Sequence, residues 1–207
     1  DRHKIIYMLL STGIAELLTI TLAIFTNISL PFLAVQLLWL NLVTNGIQEI
    51  ALAFEKGDKT VMQQPPRKPG ESIFNKLMNV EIMLSGIFIA GLVFSLWYHL
   101  KYRLGYNEKH ARTLVMMLMV LLQNFHVLNC RSETKSLFRL PIRDNYVLLA
   151  GIMLAQLVHI AASYLTLLNN ILQLEPIKFN EWILLLPTAL SIIVVMELFK
   201  WVWRRNW

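Results

Sequence analysis

The chain has 207 residues, of which 56% are apolar and 15% charged, well below the roughly one-quarter charged content of ordinary soluble domains. Its net charge is +6 and its mean hydropathy +0.53. This composition excludes a disordered polyelectrolyte. It also disfavours nucleic-acid binding, because the basic residues fall between apolar segments, as in loops facing anionic lipid. A lone Cys130 excludes an internal disulfide,. The opening Asp1-Arg2-His3-Lys4 has neither a start methionine nor a small-residue cleavage site. It reads as a position inside a longer chain, not as a signal peptide.

Six apolar stretches are each about 20 residues long, the length an α-helix needs to cross the hydrocarbon core. They predict spans at 5–26, 32–54, 80–100, 112–130, 145–168 and 181–202, hence an all-α, integral membrane, six-transmembrane-helix bundle forming one domain over 1–207. A tight turn at Asn27-Ile28-Ser29-Leu30-Pro31 joins the first two, with Pro31 suited to opening a helix,. The longest polar link, 55–79, contains Gln64-Pro65-Pro66-Arg67-Lys68-Pro69-Gly70, which stops any continuous helix,. Lys and Arg divide unevenly: fourteen lie at the two termini and in the links at 55–79 and 131–143, and five in the remaining links. The bias predicts both termini on the cytoplasmic side. Tyr98, Tyr102 and Tyr106, and Trp201, Trp203 and Trp207, fit interfacial aromatic belts,.

Polar groups inside the spans carry the functional content. In the second span Asn41, Thr44, Asn45, Gln48 and Glu49 lie at i, i+3, i+4, i+7 and i+8, one face of a helix. Leu40, Leu42, Val43, Ile47 and Ile50 form the other face. Carbonyl and carboxylate oxygens at membrane depth avoid lipid. Such a stripe either holds a cation or supplies interhelical hydrogen bonds, and the acid within it favours the cation. Gly46 would loosen this helix and free backbone carbonyls as further ligands,.

Glu16 sits mid-span in the first helix, between Thr12 and Thr19. An isolated charge at that depth costs at least about 2.5–3.5 kcal/mol. No Lys or Arg is central in any span, so a cation or a proton is the expected compensation. The fourth span adds Gln123 and Asn124 as oxygen donors, and His126 and Asn129. His126 and His159 read as hydrogen-bonded packing residues. Glu197 with Lys200 reads as a structural i,i+3 pair, and Glu81 as solvated near an interface.

Gln36-Leu37-Leu38-Trp39-Leu40-Asn41-Leu42-Val43-Thr44-Asn45-Gly46 resembles the sixth-helix signature of type II, calcium-pump-like P-type cation ATPases. Ser11-Thr12-Gly13-Ile14-Ala15-Glu16 resembles their fifth helix, and Met62-Gln63-Gln64-Pro65-Pro66-Arg67 the link that follows. Leu128-Asn129 through Ser136-Leu137 is similar to the region after their eighth helix. The resemblance runs in order along the whole chain, as helices five to ten of a ten-helix pump. It implies an aspartyl-phosphate cycle with alternating access, and cation ligands at Glu16, Asn41, Thr44, Asn45 and Gln123. Gln48 and Glu49 are possible accessory ligands.

The resemblance also implies that ATP and Mg²⁺ belong to cytoplasmic domains of the parent, outside this chain, and that no cofactor beyond the transported cation is held here. Its implied partners are membrane lipid and the parent's remaining helices and ATPase domains. Its implied setting is the plasma (inner) membrane. Three positions depart from the calcium-pump pattern: Asn45 stands for Asp, Gly13 for Asn and Gln123 for Glu. Fewer acids imply a weaker site, a single ion or a monovalent ion. Asp58-Lys59-Thr60 copies the start of the family's phosphorylation motif but continues Val61-Met62, outside any phosphate-cradling domain. It is not expected to be catalytic. An independent channel or secondary carrier, and a purely structural membrane module, are the competing readings.

Overall fold

The computed structural model describes residues 2–55, 72 and 74–206, and among these there is no strand. In chain order come α1 (Arg2–Phe25), α2 (Ala34–Trp39), a π-helical turn (Leu40–Thr44), α3 (Asn45–Ala53), α4 (Lys76–Tyr98) with a π-helical extension (His99–Arg103), and α5 (Glu108–Asn129). Two 3₁₀ turns (Leu137–Arg139 and Ile142–Asp144) precede α6 (Tyr146–Tyr164), α7 (Thr166–Leu172) and α8 (Phe179–Asn206). The sequence supplies the starts. Asn75, Asn107 and Asn145 each cap a helix through the side-chain oxygen, accepting from Met78 N, His110 N and Leu148 N at 2.7–2.8 Å,.

Among the described residues five helices are long and apolar enough to cross a membrane: Arg2–Phe25, Lys76–Arg103, Glu108–Asn129, Tyr146–Tyr164 and Phe179–Asn206. The span expected at 32–54 is present as one unbroken helical run through α2, the π turn and α3, but its polar stripe makes it less apolar than the others. Two expectations change. Pro31 does not open a helix, which begins at Ala34; the left-handed φ of 54° at Asn27 makes the turn, a conformation asparagine tolerates. The stretch 145–168 is two helices, because Leu165 is extended (φ −74°, ψ 121°). The Pro-rich link and Asp58-Lys59-Thr60 lie outside the described residues, as does Met62 through Arg67.

α5 is the hub. Its middle, Leu114 to Leu122, is a run of buried apolar residues, and the helix packs against α1, α3, α4, α6 and α8, as expected of a stretch that is apolar all round. Around it α1 packs on α4 and α3 on α6 through small residues,. A Cβ at Gly86 would lie 2.8 Å from Ile14 Cγ2 and 3.2 Å from the Ser11 carbonyl oxygen. Ser85 beside it donates to Ser11 Oγ at 3.0 Å. Gly151 meets Ala51 equally closely.

The two ends of the bundle are tied differently. At one end the α1–α2 link is held by Trp97, which donates to Ser29 O at 2.9 Å, and by Arg112, which donates to Leu30 O at 3.0 Å. At the other end Arg131 and Glu55 form a buried pair at 3.0 Å, and Asn145 donates to the same Glu55 oxygen at 2.7 Å. Asn75 reaches Glu133 there at 3.4 Å. The ends of α3 and α5 and the starts of α4 and α6 therefore share one face.

Gly86→Ala should push α1 from α4 and destabilise the protein by about 1–3 kcal/mol, the usual result of overpacking. Thermal unfolding of the purified protein in lipid nanodiscs would measure it, and an unchanged Tm would show the helix contact to be slack.

Candidate functional site

Glu16 does not face the lipid. Its side chain lies on the α2–α3 side of α1, 7% exposed, and Oε2 accepts a hydrogen bond from Asn41 Nδ2 at 3.0 Å. One turn earlier, Thr12 Oγ1 accepts from Asn45 Nδ2 at 3.0 Å while donating to Met8 O. The polar face of α1 and the stripe on the second span thus meet along a common seam, as the 3.6-residue period requires of two packed helices. Leu42 and Ile50 of the apolar face are turned outward, about two-thirds exposed, whereas Leu40 of that face is fully buried and Asn41 of the stripe is exposed.

Two bonds leave the seam unevenly satisfied. The amide nitrogens of Asn41 and Asn45 are used to bind α1, and the buried oxygen of Asn45 is left without a partner. Glu16 Oε1, Asn45 Oδ1, Gln48 Oε1 and Glu49 Oε1 are all buried atoms without a hydrogen-bond partner. Buried oxygens are ordinarily paired, and one left unpaired costs about 1–3 kcal/mol. Four unpaired acceptors on two packed helices form a surplus of oxygen lone pairs, which a proton donor or a cation would satisfy.

The helix is widened where this happens. Leu40–Thr44 forms a π turn in which Asn45 N–H reaches back to Leu40 O, and Thr44 Oγ1 donates to that same carbonyl at 3.0 Å. Sequence reasoning places the loosening at Gly46. It falls on the preceding turn instead, and the helix widens without unwinding. π turns commonly mark functional positions, and here the turn contains Asn41 and ends at Asn45, the two residues that bond α1.

The remaining predicted residues are less directly joined. Gln48 donates to Asn124 Oδ1 at 2.6 Å, and Asn124 donates to Gln156 Oε1 at 2.9 Å. This amide chain leads from the second span through α5 to α6. Gln156 was not singled out in the sequence, since a single amide in an apolar span has no pattern around it. Gln123 is fully buried and neither of its polar atoms has a partner, so no direct bond joins it to Glu16 or Asn45. Glu49 is half-buried.

His126 and His159 are packing residues, as expected: His126 lies beside Tyr7 and Asn129, and His159 accepts from Trp39 Nε1 at 3.0 Å. Two other expectations fail. Glu81 is not solvated, being 0% exposed, because α1, α5 and α8 close over the start of α4. Glu197 does not bond Lys200; it accepts from Ser136 Oγ and Leu137 N. Among the described residues no group of His, Cys, Asp and Glu has the arrangement of a transition-metal centre.

An all-helical, multi-pass membrane protein with a seam of acids and amides on two of its helices is the class that fold and site define. Residues 29–202 match the family described as Cation transporting ATPase, C-terminus, and the chain belongs to that family. Over 197 residues it is 29% identical to the mouse calcium-transporting ATPase type 2C member 2, covering 95% of this chain and 21% of that protein. It is 31% identical over 187 residues to a calcium-transporting ATPase of Bacillus subtilis, covering 89% of this chain and 21% of that protein. An endoplasmic reticulum-type calcium-transporting ATPase of Arabidopsis thaliana is 28% identical, covering 100% and 23%. The chain spans about a fifth of the length of these relatives.

Thr12→Val keeps the side-chain shape but removes the acceptor for Asn45. A loss of about 1–3 kcal/mol is expected from the buried amide left unpaired, read as a lowered Tm in nanodiscs. Wild-type stability would show that Asn45 finds another partner.

Proposed function

We propose that this chain is the membrane-embedded, cation-binding and translocating part of an ATP-driven P-type pump. One observation carries the reading: Glu16 is buried beside Asn41 with its second carboxylate oxygen unpaired. Glu16, Asn41, Thr44, Asn45 and Gln123 hold the cation, with Gln48 and Glu49 as accessory donors. All are hard oxygen ligands of the kind that calcium and the alkali cations take. Asn41 and Glu49 lie at the open edge of the seam, partly exposed on the chain's own surface. A polar edge at this depth requires a cover other than lipid, which the parent's other helices would supply. The whole of 1–207 acts as one domain in this scheme. ATP hydrolysis, with its Mg²⁺, takes place in cytoplasmic domains of the parent.

The purely structural reading leaves the unpaired Glu16 oxygen without a use, and the match to a cation transporting ATPase family supports a pump over an independent channel or carrier. The relatives are calcium-transporting by name. With Asn45 and Gln123 neutral, this chain offers a calcium ion less compensating charge than an acid at those positions would, which favours a weaker site or fewer ions. The charge bias places both termini in the cytoplasm, and the plasma (inner) membrane is the proposed location.

Glu16→Gln in the intact pump should lower apparent cation affinity at least about tenfold, equivalent to about 1.4 kcal/mol, in cation-dependent phosphorylation or transport. Unaltered affinity would remove Glu16 from the site. Asn45→Asp adds an acid to the seam and should tighten divalent binding; isothermal titration without a gain would count against the ligand set.

A further inference from the structure

A second group of buried polar side chains lies nearer the starts of α1 and α4 and the end of α8, away from Glu16. Glu81 of α4 is 0% exposed, and both of its carboxylate oxygens are without a hydrogen-bond partner. The Tyr7 hydroxyl and Asn129 Oδ1 are likewise buried and unpartnered. Lys200 of α8, 1% exposed, completes the group. Its ammonium donates to two backbone carbonyls, Asn129 O at 3.1 Å and Lys135 O at 3.3 Å.

Two features separate this from an ordinary ion pair. Lys200 lies near the end of its helix, with Asn206 the last helical residue. From such a position a lysine normally extends its stem to carry the charge to the interface. This one turns inward. Its hydrogen bonds also go to neutral carbonyls and not to an acid. Glu81 is buried on α4, which packs against α8, yet among the described residues the two make no direct ion-pair contact. Tyr7, His126, Cys130, Glu133, Glu197 and Arg204 are the other ionisable groups in electrostatic range of Lys200 or Glu81, and Glu197 is engaged by Ser136 and Leu137. Carbonyl oxygens around a dehydrated ion, with a carboxylate nearby, are the surroundings proteins provide for monovalent cations.

We propose that Lys200 is a tethered cation, its ammonium filling a monovalent-cation site built from the carbonyl oxygens of Asn129 and Lys135 with the Glu81 carboxylate. This end of the bundle, where α4, α5 and α8 converge, is thereby held by the chain's own charge and needs no ion from solution. The site is separate from the Glu16 seam, and its test reads no transport.

The test is thermal unfolding of the intact protein in nanodiscs, with N-methylglucamine chloride as the base salt. Lys200→Ala should lower Tm by roughly 5–15 °C, as removing one member of a buried charge pair does. Potassium or ammonium should restore at least half of the loss, saturably, whereas tetramethylammonium, too large for the vacated space, should not. Lys200→Ala combined with Glu81→Gln removes both charges and should show no such rescue. A wild-type Tm for Lys200→Ala, equal restoration by all three cations, or rescue that persists in the double variant would each overturn the proposal. If Lys200→Ala yields folded protein only when prepared in potassium or ammonium, that supports the proposal. Failure to fold in every salt while the double variant folds would overturn it.

Discussion

The hydrogen bond from Asn41 to Glu16 joins the one central acid of α1 to the polar stripe of the neighbouring span. In a bilayer there is no water to solvate that carboxylate, so the rest of the local architecture follows from finding it partners. α1 turns Thr12 and Glu16 toward the second span, whose Asn41 and Asn45, at and just after a π turn, bond them. Asn45 uses its amide nitrogen on α1, and its buried oxygen stays unpartnered. The same bonds that assemble the helices leave a surplus of acceptors between them.

That arrangement also shows why assembly and ion binding are hard to separate by residue type alone. Asn and Thr are the residues that hold membrane helices together, and they are also hard oxygen donors. In Asn45 the amide nitrogen is bonded to Thr12 and the amide oxygen is left unpartnered, and the proposed ion site draws on the second. The unpaired Oε1 of Glu16 and Oδ1 of Asn45 give the seam its capacity for a positive charge.

Other buried charges show how context alters the role of similar groups. Arg131 and Glu55 form a direct pair reinforced by Asn145, Pro141 and the nearby carbonyls, closing one end of the bundle. Lys200 and Glu81 are as deeply buried but do not touch. Sequence inspection treats Glu81 as solvated and Lys200 as half of a local pair with Glu197. Their depth arises from how α1, α5 and α8 close over α4, a tertiary event without local periodicity.

Much of this protein was legible in its residues. Long apolar runs have one stable outcome in hydrocarbon, the helix, because only a helix satisfies its own backbone; hence five of the spans were found within a few residues of their observed ends. The 3.6-residue spacing placed Asn41, Thr44, Asn45, Gln48 and Glu49 on one face before any coordinates. Spacing within one helix says nothing of which atoms meet across two. Only the tertiary structure decided that Asn41 bonds Glu16 and Asn45 bonds Thr12, that Gln123 stands apart from both, and that the helix widens at Leu40–Thr44 and not at Gly46. Those choices depend on helix rotation and on close approach at residues such as Gly86 and Gly151, and both are set by side-chain packing over the whole bundle.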